Sequence, residues 1–322
     1  MKRFGFFCLF FLSSYVFAES IQESYRPYIT ADFIYWKARM DGLEYVVTGI
    51  GSPQSPSEVR GRVYNVDFDG HLGFKVGLGL KIGHDGWDVN LGYTWLHSKE
   101  SDHFHGEGGQ ELTQVPFLQG GVTRGALDWD FHMNVIDLAL GRHILVSKLF
   151  DLRPFFGLKG YWASQDYRAV TQGLIALDKM ETGSSQAHLD DENWGVGIRG
   201  GLETTFVFTK NWSFFGNIAL AAEWSRFHFR VKQDGTFNEP LHSVSLVHLN
   251  DHQYQMIPVL ELSLGIRWGM DLFSGSSRVS LQVAWEEQMW WDYAHSFDFL
   301  NKWTNGGNLN FQGLTIRGRF DF

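Results

Sequence analysis

The chain has 322 residues, 16% of them aromatic with 13 Trp, 36 of them Gly, and a formal charge of -9. That acidity excludes nucleic acid as a partner, because phosphate binding needs a basic surface. Mean hydropathy is -0.19, and no apolar run beyond the N-terminal segment is long enough for a membrane helix, which excludes a helical membrane protein.

Met1-Lys2-Arg3 opens with positive charge, Phe4 to Phe17 is almost wholly apolar, and Val16-Phe17-Ala18 offers a cleavage site. Residues 1–18 therefore read as a secretory signal peptide. The apolar run is about 14 residues, short of the roughly 20 that span a bilayer as a helix. The single cysteine, Cys8, lies inside it, so residues 19–322, read as one domain, have none and carry -11, the -9 of the whole less two basic leader residues. An exported chain without disulfides must be held by burial or by a closed hydrogen-bonded sheet.

Residues 29–38 read as a first strand, with Ala31, Phe33 and Tyr35 on one face and Thr30 and Asp32 on the other. A loop follows to about Arg62. From Gly70, Leu72, Phe74, Val76, Leu78, Leu80 and Ile82 alternate with Gly73, Lys75, Gly77, Gly79 and Lys81. Asp85-Gly86 signals a tight turn, after which Trp87, Val89, Leu91, Tyr93 and Trp95 alternate with Asp88, Asn90, Gly92 and Thr94. Residues 98–125 read as a long polar loop.

In the fourth strand, 126–143, Leu127, Trp129, Phe131 and Met133 share one parity and Ile136, Leu138 and Leu140 the other, which predicts a β-bulge near Asn134. The fifth sets Leu152, Phe156, Leu158 and Trp162 against Arg153, Lys159 and Tyr161, and residues 168–192 read as a loop. The sixth sets Trp194, Val196, Ile198, Leu202, Phe206 and Phe208 against Arg199 and Glu203. The seventh sets Trp212, Phe214, Ile218, Leu220 and Trp224 against Asn217 and Glu223, before a loop from Lys232 to His252. The eighth sets Leu260, Leu262, Leu264, Ile266, Trp268 and Met270 against Glu261 and Arg267; the ninth sets Val279, Leu281, Val283 and Trp285 against Gln282 and Glu286. After a loop over 293–308, the tenth ends the chain, with Leu314, Ile316, Phe320 and Phe322 opposite Thr315, Arg317, Arg319 and Asp321.

These elements predict an all-β transmembrane antiparallel barrel of about 10 strands, with 12 as the alternative, short periplasmic turns and long extracellular loops. Two aromatic belts frame it: Trp87, Phe208, Trp212, Trp268 and Phe322 beside the short turns, and Trp95, Trp129, Trp162, Trp194 and Trp224 towards the loops. The expected partners are outer-membrane lipid and, through the terminal strand ending at Phe322, the barrel-assembly machinery.

The segments Asp32-Phe33-Ile34-Tyr35-Trp36-Lys37-Ala38, Gly73 to Gly79, Tyr93-Thr94-Trp95-Leu96-His97-Ser98, Leu152 to Leu158, Trp285-Glu286-Glu287-Gln288 and Gln312-Gly313-Leu314-Thr315 resemble the Legionella-type pore-forming major outer membrane proteins, which are also abundant in chlamydia-like bacteria. The resemblance covers the chain from first to last strand and implies an outer-membrane barrel with porin activity. It sets the chain apart from cysteine-rich chlamydial envelope proteins, since residues 19–322 contain no cysteine.

If the apolar parity meets lipid, the other parity lines a pore: Lys75, Lys81, Asp128, Asp130, Arg153, Lys159, Arg199, Glu203, Glu223, Glu261, Arg267, Glu286, Arg317 and Arg319. Asp128, Asp130, Glu223 and Glu286 lie towards the loops, whose own acids include Glu100, Asp102 and Asp190 to Glu192, so an acidic outer mouth and a weak cation preference are expected. Inward glycines, among them Gly79 and Gly195, would make room for water. Eight strands are about filled by side chains and open channels take roughly 16, so a narrow pore, or one formed in a homo-oligomer, fits best. A plugged structural barrel or a surface adhesin is the alternative, and a surface protease the remote one. Asp102-His103 and Asp251-His252 are weak catalytic pairs because neighbours on a strand face opposite ways, and His103-x-His105 lacks a third metal ligand. No catalytic residue, cofactor or metal is expected.

Overall fold

The computed structural model describes residues 25–47, 62–83, 85–106, 122–176, 180–238, 241–273, 276–298 and 302–322. The signal peptide assigned to 1–18 lies outside them. The strands are β1 (Tyr25–Met40), β2 (Val46–Val47), β3 (Val63–Tyr64), β4 (Gly70–Ile82), β5 (Trp87–His105), β6 (Val122–Arg142), β7 (Ile144–Leu145), β8 (Phe150–Ala176), β9 (Met180–Val207), β10 (Trp212–Asn238), β11 (Leu241–Leu272), β12 (Ser277–Asp298) and β13 (Lys302–Asp321). Ten of them form a closed antiparallel barrel, ordered β6-β5-β4-β1-β13-β12-β11-β10-β9-β8, with β6 pairing back onto β8. First and last strands pair from Tyr28↔Asp321 to Met40↔Leu309. The pair β7 and the ribbon β2–β3 are additions to that ring. Asp85 and Gly86 both take positive φ, 61° and 70°, as a two-residue hairpin turn requires. A Cβ on Gly86 would lie 2.9 Å from the His143 carbonyl oxygen.

The strands depart from the sequence expectation in two ways, for one physical reason. There is no bulge near Asn134: β6 pairs with β5 from Trp87↔Arg142 to His105↔Arg124 with no shift of register. Stretches 98–105, 168–176, 180–192, 232–238 and 241–252, expected as loops, are strand. Strands β8 to β11 run 27 to 32 residues, where about 9–11 cross a membrane, so the barrel continues far above the bilayer. Within lipid the outward residues are apolar; above it the outward face meets water and the inward face becomes the apolar one. In β6 the outward Ile136 and Leu138 are 40% and 41% exposed, while the inward Leu127, Trp129 and Phe131 are fully buried. In β10 the outward Trp224 gives way to inward, buried Phe227, Phe229 and Val231, with Arg226, His228 and Arg230 outside. A strand that keeps its pairing while its chemistry inverts looks, in sequence, like a bulge or a polar loop.

The inverted segments fill the outer half of the barrel with a hydrophobic core that includes Ile34, Trp36, Trp129, Phe131, Tyr161, Phe227, Trp290, Tyr293 and Phe311. The segment joining β1 to β4 adds to it: Leu43, Tyr45, Val46 and Val66 are buried, Phe68 packs edge-on against Trp129 at 5.7 Å, and Tyr45 donates to Asp102 Oδ2 at 2.9 Å. Phe131→Ala should therefore cost about 3–5 kcal/mol in urea unfolding from vesicles, as for any large core truncation, while Asp128→Ala, on the outer wall, should change stability by less than about 0.5 kcal/mol.

Candidate functional site: a charged vestibule under an aromatic plug

Below the plug, the membrane-spanning part of the barrel encloses a cavity of about 200 Å³ that reaches from Trp36, Leu96, Met133 and Phe311 at its upper end to His143 and Asp151 at the periplasmic turns. Its lining holds seven carboxylates, Asp32, Asp88, Asp137, Asp151, Glu203, Glu261 and Glu286, and seven fixed cations, Lys75, Arg153, Lys159, Arg199, Arg267, Arg317 and Arg319. Each comes from a strand whose other parity faces lipid, so alternation alone delivers the charges to the interior.

Most are paired. Arg317 grips its cross-strand partner Asp32 with a two-pronged contact, Nε to Oδ1 at 2.9 Å and Nη2 to Oδ2 at 2.7 Å. Lys75 bonds Glu286 and lies 4.3 Å from the centre of the Trp36 ring. Arg153 bonds Asp88 through two nitrogens and reaches Glu203 at 3.1 Å. Lys159, 1% exposed, donates to Asp137 at 3.0 Å and Glu261 at 2.8 Å, and Arg199 also holds Glu261. At the periplasmic rim Lys81 and Arg319 share Asp321, at 2.6 and 2.8 Å, and Arg319 covers Tyr28. Charges this buried persist only when paired, and the lining cations meet that condition except Arg267, whose Nε has no hydrogen-bond partner among the described residues. Glu223 differs: it is fully buried and neither carboxylate oxygen has a hydrogen-bond partner among the described residues.

Of the residues that sequence parity assigns to the lumen, Lys75, Lys81, Arg153, Lys159, Arg199, Glu203, Glu223, Glu261, Arg267, Glu286, Arg317 and Arg319 lie on inward faces. Asp128 and Asp130 do not. Both sit on the outer wall, because β6 keeps one parity throughout and its odd-numbered residues point in. For the same reason Trp129 belongs to the plug and not to the outer belt, and Asp137 faces inward, where it joins Lys159 and Arg199. Asp190 and Glu192 likewise lie on the outer wall, bonded to Arg230, so the carboxylate ring expected at the outer mouth is dispersed. Two of the glycines expected to open the bore are covered: a Cβ on Gly79 would lie 2.0 Å from the Tyr28 ring, and one on Gly195 2.5 Å from Tyr161, whereas Gly92 on the cavity wall stays open. Trp162, Trp194, Trp212, Trp224 and Phe322 are about half exposed on the outer wall. Trp87, Trp95 and Trp268 share that face.

The weak catalytic pairs do not converge. Asp102 points inward to Tyr45 while His103 is exposed outside. Asp251 accepts from Gln253 at 3.4 Å, and the His252 ring stacks outside against His228 at 4.2 Å.

A closed antiparallel barrel with an apolar outer wall between two aromatic belts is an outer-membrane β-barrel protein. Residues 22–322 match the family described as Legionella pneumophila major outer membrane protein precursor, and the chain belongs to that family. Its place is the outer membrane. No curated protein matches the chain. Similar solved barrels include the outer membrane protease OmpT of Escherichia coli (10% identity, 93% of this chain and 97% of that one, TM-score 0.41). A FadL homologue of Pseudomonas aeruginosa (9%, 93% and 90%, 0.30) and Ail, the attachment invasion locus protein of Yersinia pestis (10%, 72% and 98%, 0.24), are more distant.

Two ionisable groups outside the bilayer set a pH dependence. At the periplasmic turn, hydrogen bonds from His143 to Asp88 (3.2 Å) and Asp151 (2.7 Å) raise its pKa above the usual 6.5. Its contribution is complete below that value and is lost as pH rises through the raised one. Above the outer belt, Asp191 is buried among Gln165 and Asn193, with Oδ1 unbonded, and burial pushes it up to about 8. Between 3.8, its ordinary value, and about 8 the folded state holds the extra proton, so stability falls as pH rises. Asp191→Asn should therefore raise the unfolding midpoint at pH 7 and leave it unchanged at an acidity where both states are protonated; equal midpoints at pH 7 would contradict the assignment.

Proposed function

We propose that the chain is a porin-type outer-membrane protein whose conduction path is the charged vestibule and whose gate is the aromatic plug, shut in this conformation. The observation that carries this is the cavity lined by seven carboxylates and seven cations, ending against Trp36 and Phe311. Water and small ions have polar partners along the lower path, while packed rings occupy much of the outer half, with buried polar groups such as Gln165 and Asp191 among them. An even balance of charge discriminates little between cations and anions, so the cation preference expected from a ring of carboxylates is replaced by weak selectivity. We read the protein as non-enzymatic, exported by residues 1–18 and handed to the barrel-assembly machinery through the strand ending at Phe322; assembly into homo-oligomers stays part of the proposal.

A second reading, a structural or adhesive barrel, is favoured by the extracellular extension, whose strands raise a polar outer wall well above the lipid. Planar-bilayer recordings across a salt gradient separate the two. Wild type should give rare, small steps, and the plug variant Trp129→Ala/Phe131→Ala/Phe311→Ala frequent ones with a reversal potential near zero. A variant that folds, shifts its gel mobility on heating and still never conducts would end the pore reading in favour of the structural one.

A further inference from the structure

On the outer wall, away from the vestibule, β5 and β6 bring three ligand-type side chains together. His97 and His132 are direct cross-strand partners in an unshifted stretch of ladder, and Asp130 stands one outward position further on. The imidazole rings stack with centroids 3.8 Å apart and planes 12° from parallel. Nε2 of His97 and Nε2 of His132 both reach Oδ1 of Asp130, at 3.0 and 3.2 Å. All three sit just above Trp95, whose ring meets His97 edge-on at 6.4 Å, where the wall leaves the lipid for water.

Three features point to a cation. Bond lengths of about 2.0–2.1 Å around a tetrahedral zinc place neighbouring ligand atoms about 3.3 Å apart, close to the 3.0 and 3.2 Å between Asp130 Oδ1 and the two Nε2 atoms, and a turn of the stacked rings would aim both nitrogens at one ion. The donors stand on paired backbone, so little order is lost on binding. Asp130 also faces Asp166 directly across the β6–β8 ladder, and like charges so placed are unfavourable unless neutralised. His188 holds Asp166 at 3.0 Å on its far side, and Lys99, opposite Asp130 on β5, answers part of that charge.

We propose that His97, Asp130 and His132 form a divalent transition-metal site of the zinc class on the outside of the barrel, at the upper edge of the membrane. Imidazole donors select this class over calcium and magnesium, which take oxygen. Three protein ligands leave a fourth position for water, facing away from the wall.

Cobalt and zinc titrations of the refolded barrel in nanodiscs test it. One cobalt should bind with the visible spectrum of a tetrahedral site and be displaced by one equivalent of zinc. His132→Ala should weaken zinc by about tenfold or more, with the heat-induced gel shift unchanged. His228→Ala, in the other outward histidine pair, with His252, should leave the affinity as it is. No binding, binding indifferent to His132→Ala, or binding lost only in His228→Ala would each overturn the assignment.

Discussion

Inside hydrocarbon every backbone N–H and C=O must find its partner within the protein, and here closure of the sheet supplies them. β1 pairs with β4 on one side and β13 on the other, and β6 and β8 complete the ring. Closure fixes inside and outside for every residue at once, because a strand in an unbroken ladder cannot turn a side chain round without a bulge. The lipid-facing leucines, the charge network and the plug all follow from that division.

A barrel of ten strands has more interior than side chains of ordinary size fill, and the two halves of this one meet the demand differently. The membrane-spanning half uses long charged side chains, most of which neutralise each other in pairs, leaving a cavity of about 200 Å³ among them. The outer half uses rings, Trp129, Phe131, Tyr161, Trp290 and Tyr293 among them, and draws in the segment around Tyr45 to finish the packing. Tyr161 fits because Gly195 has no side chain, and Tyr28 because Gly79 has none. A lumen charged below and packed with rings above is what the proposed gated path rests on.

Strand number and most of the lumen were legible in the sequence because β4, β5 and β13 alternate cleanly within the membrane. Leu78 and Leu80 point out and Lys75 and Lys81 point in, in agreement with parity. Legibility failed at the outer membrane surface. There the solvent outside the wall changes from lipid to water, so the outward residues become Arg226, His228 and Arg230 and the inward ones Phe227 and Phe229. Alternation continues, but its sign reverses, and a rule that equates apolar with outward then places Asp128 and Asp130 in the lumen and misses Asp137. The clue in the outer stretches was faint: apolar residues such as Phe104, Ala169, Ala187 and Phe237 do fall on the inward parity, but they alternate in sequence with inward polar ones such as Glu100, Thr171, Ser185 and Gln233. The triad of His97, Asp130 and His132 was hidden for the same reason, since its members come from two strands and share a face only when β6 runs unbulged.

The most direct test of that central claim is spin-label accessibility along β6, from 127 to 140, one cysteine at a time; residues 19–322 have no cysteine of their own. An unbroken period of two is expected. Odd positions should be shielded from both oxygen and a water-soluble nickel reagent; even positions 136 to 140 should respond to oxygen, and 128 to 132 to nickel. A phase change near Asn134, with 127 to 133 accessible from lipid, would restore the bulge and contradict the inverted plug.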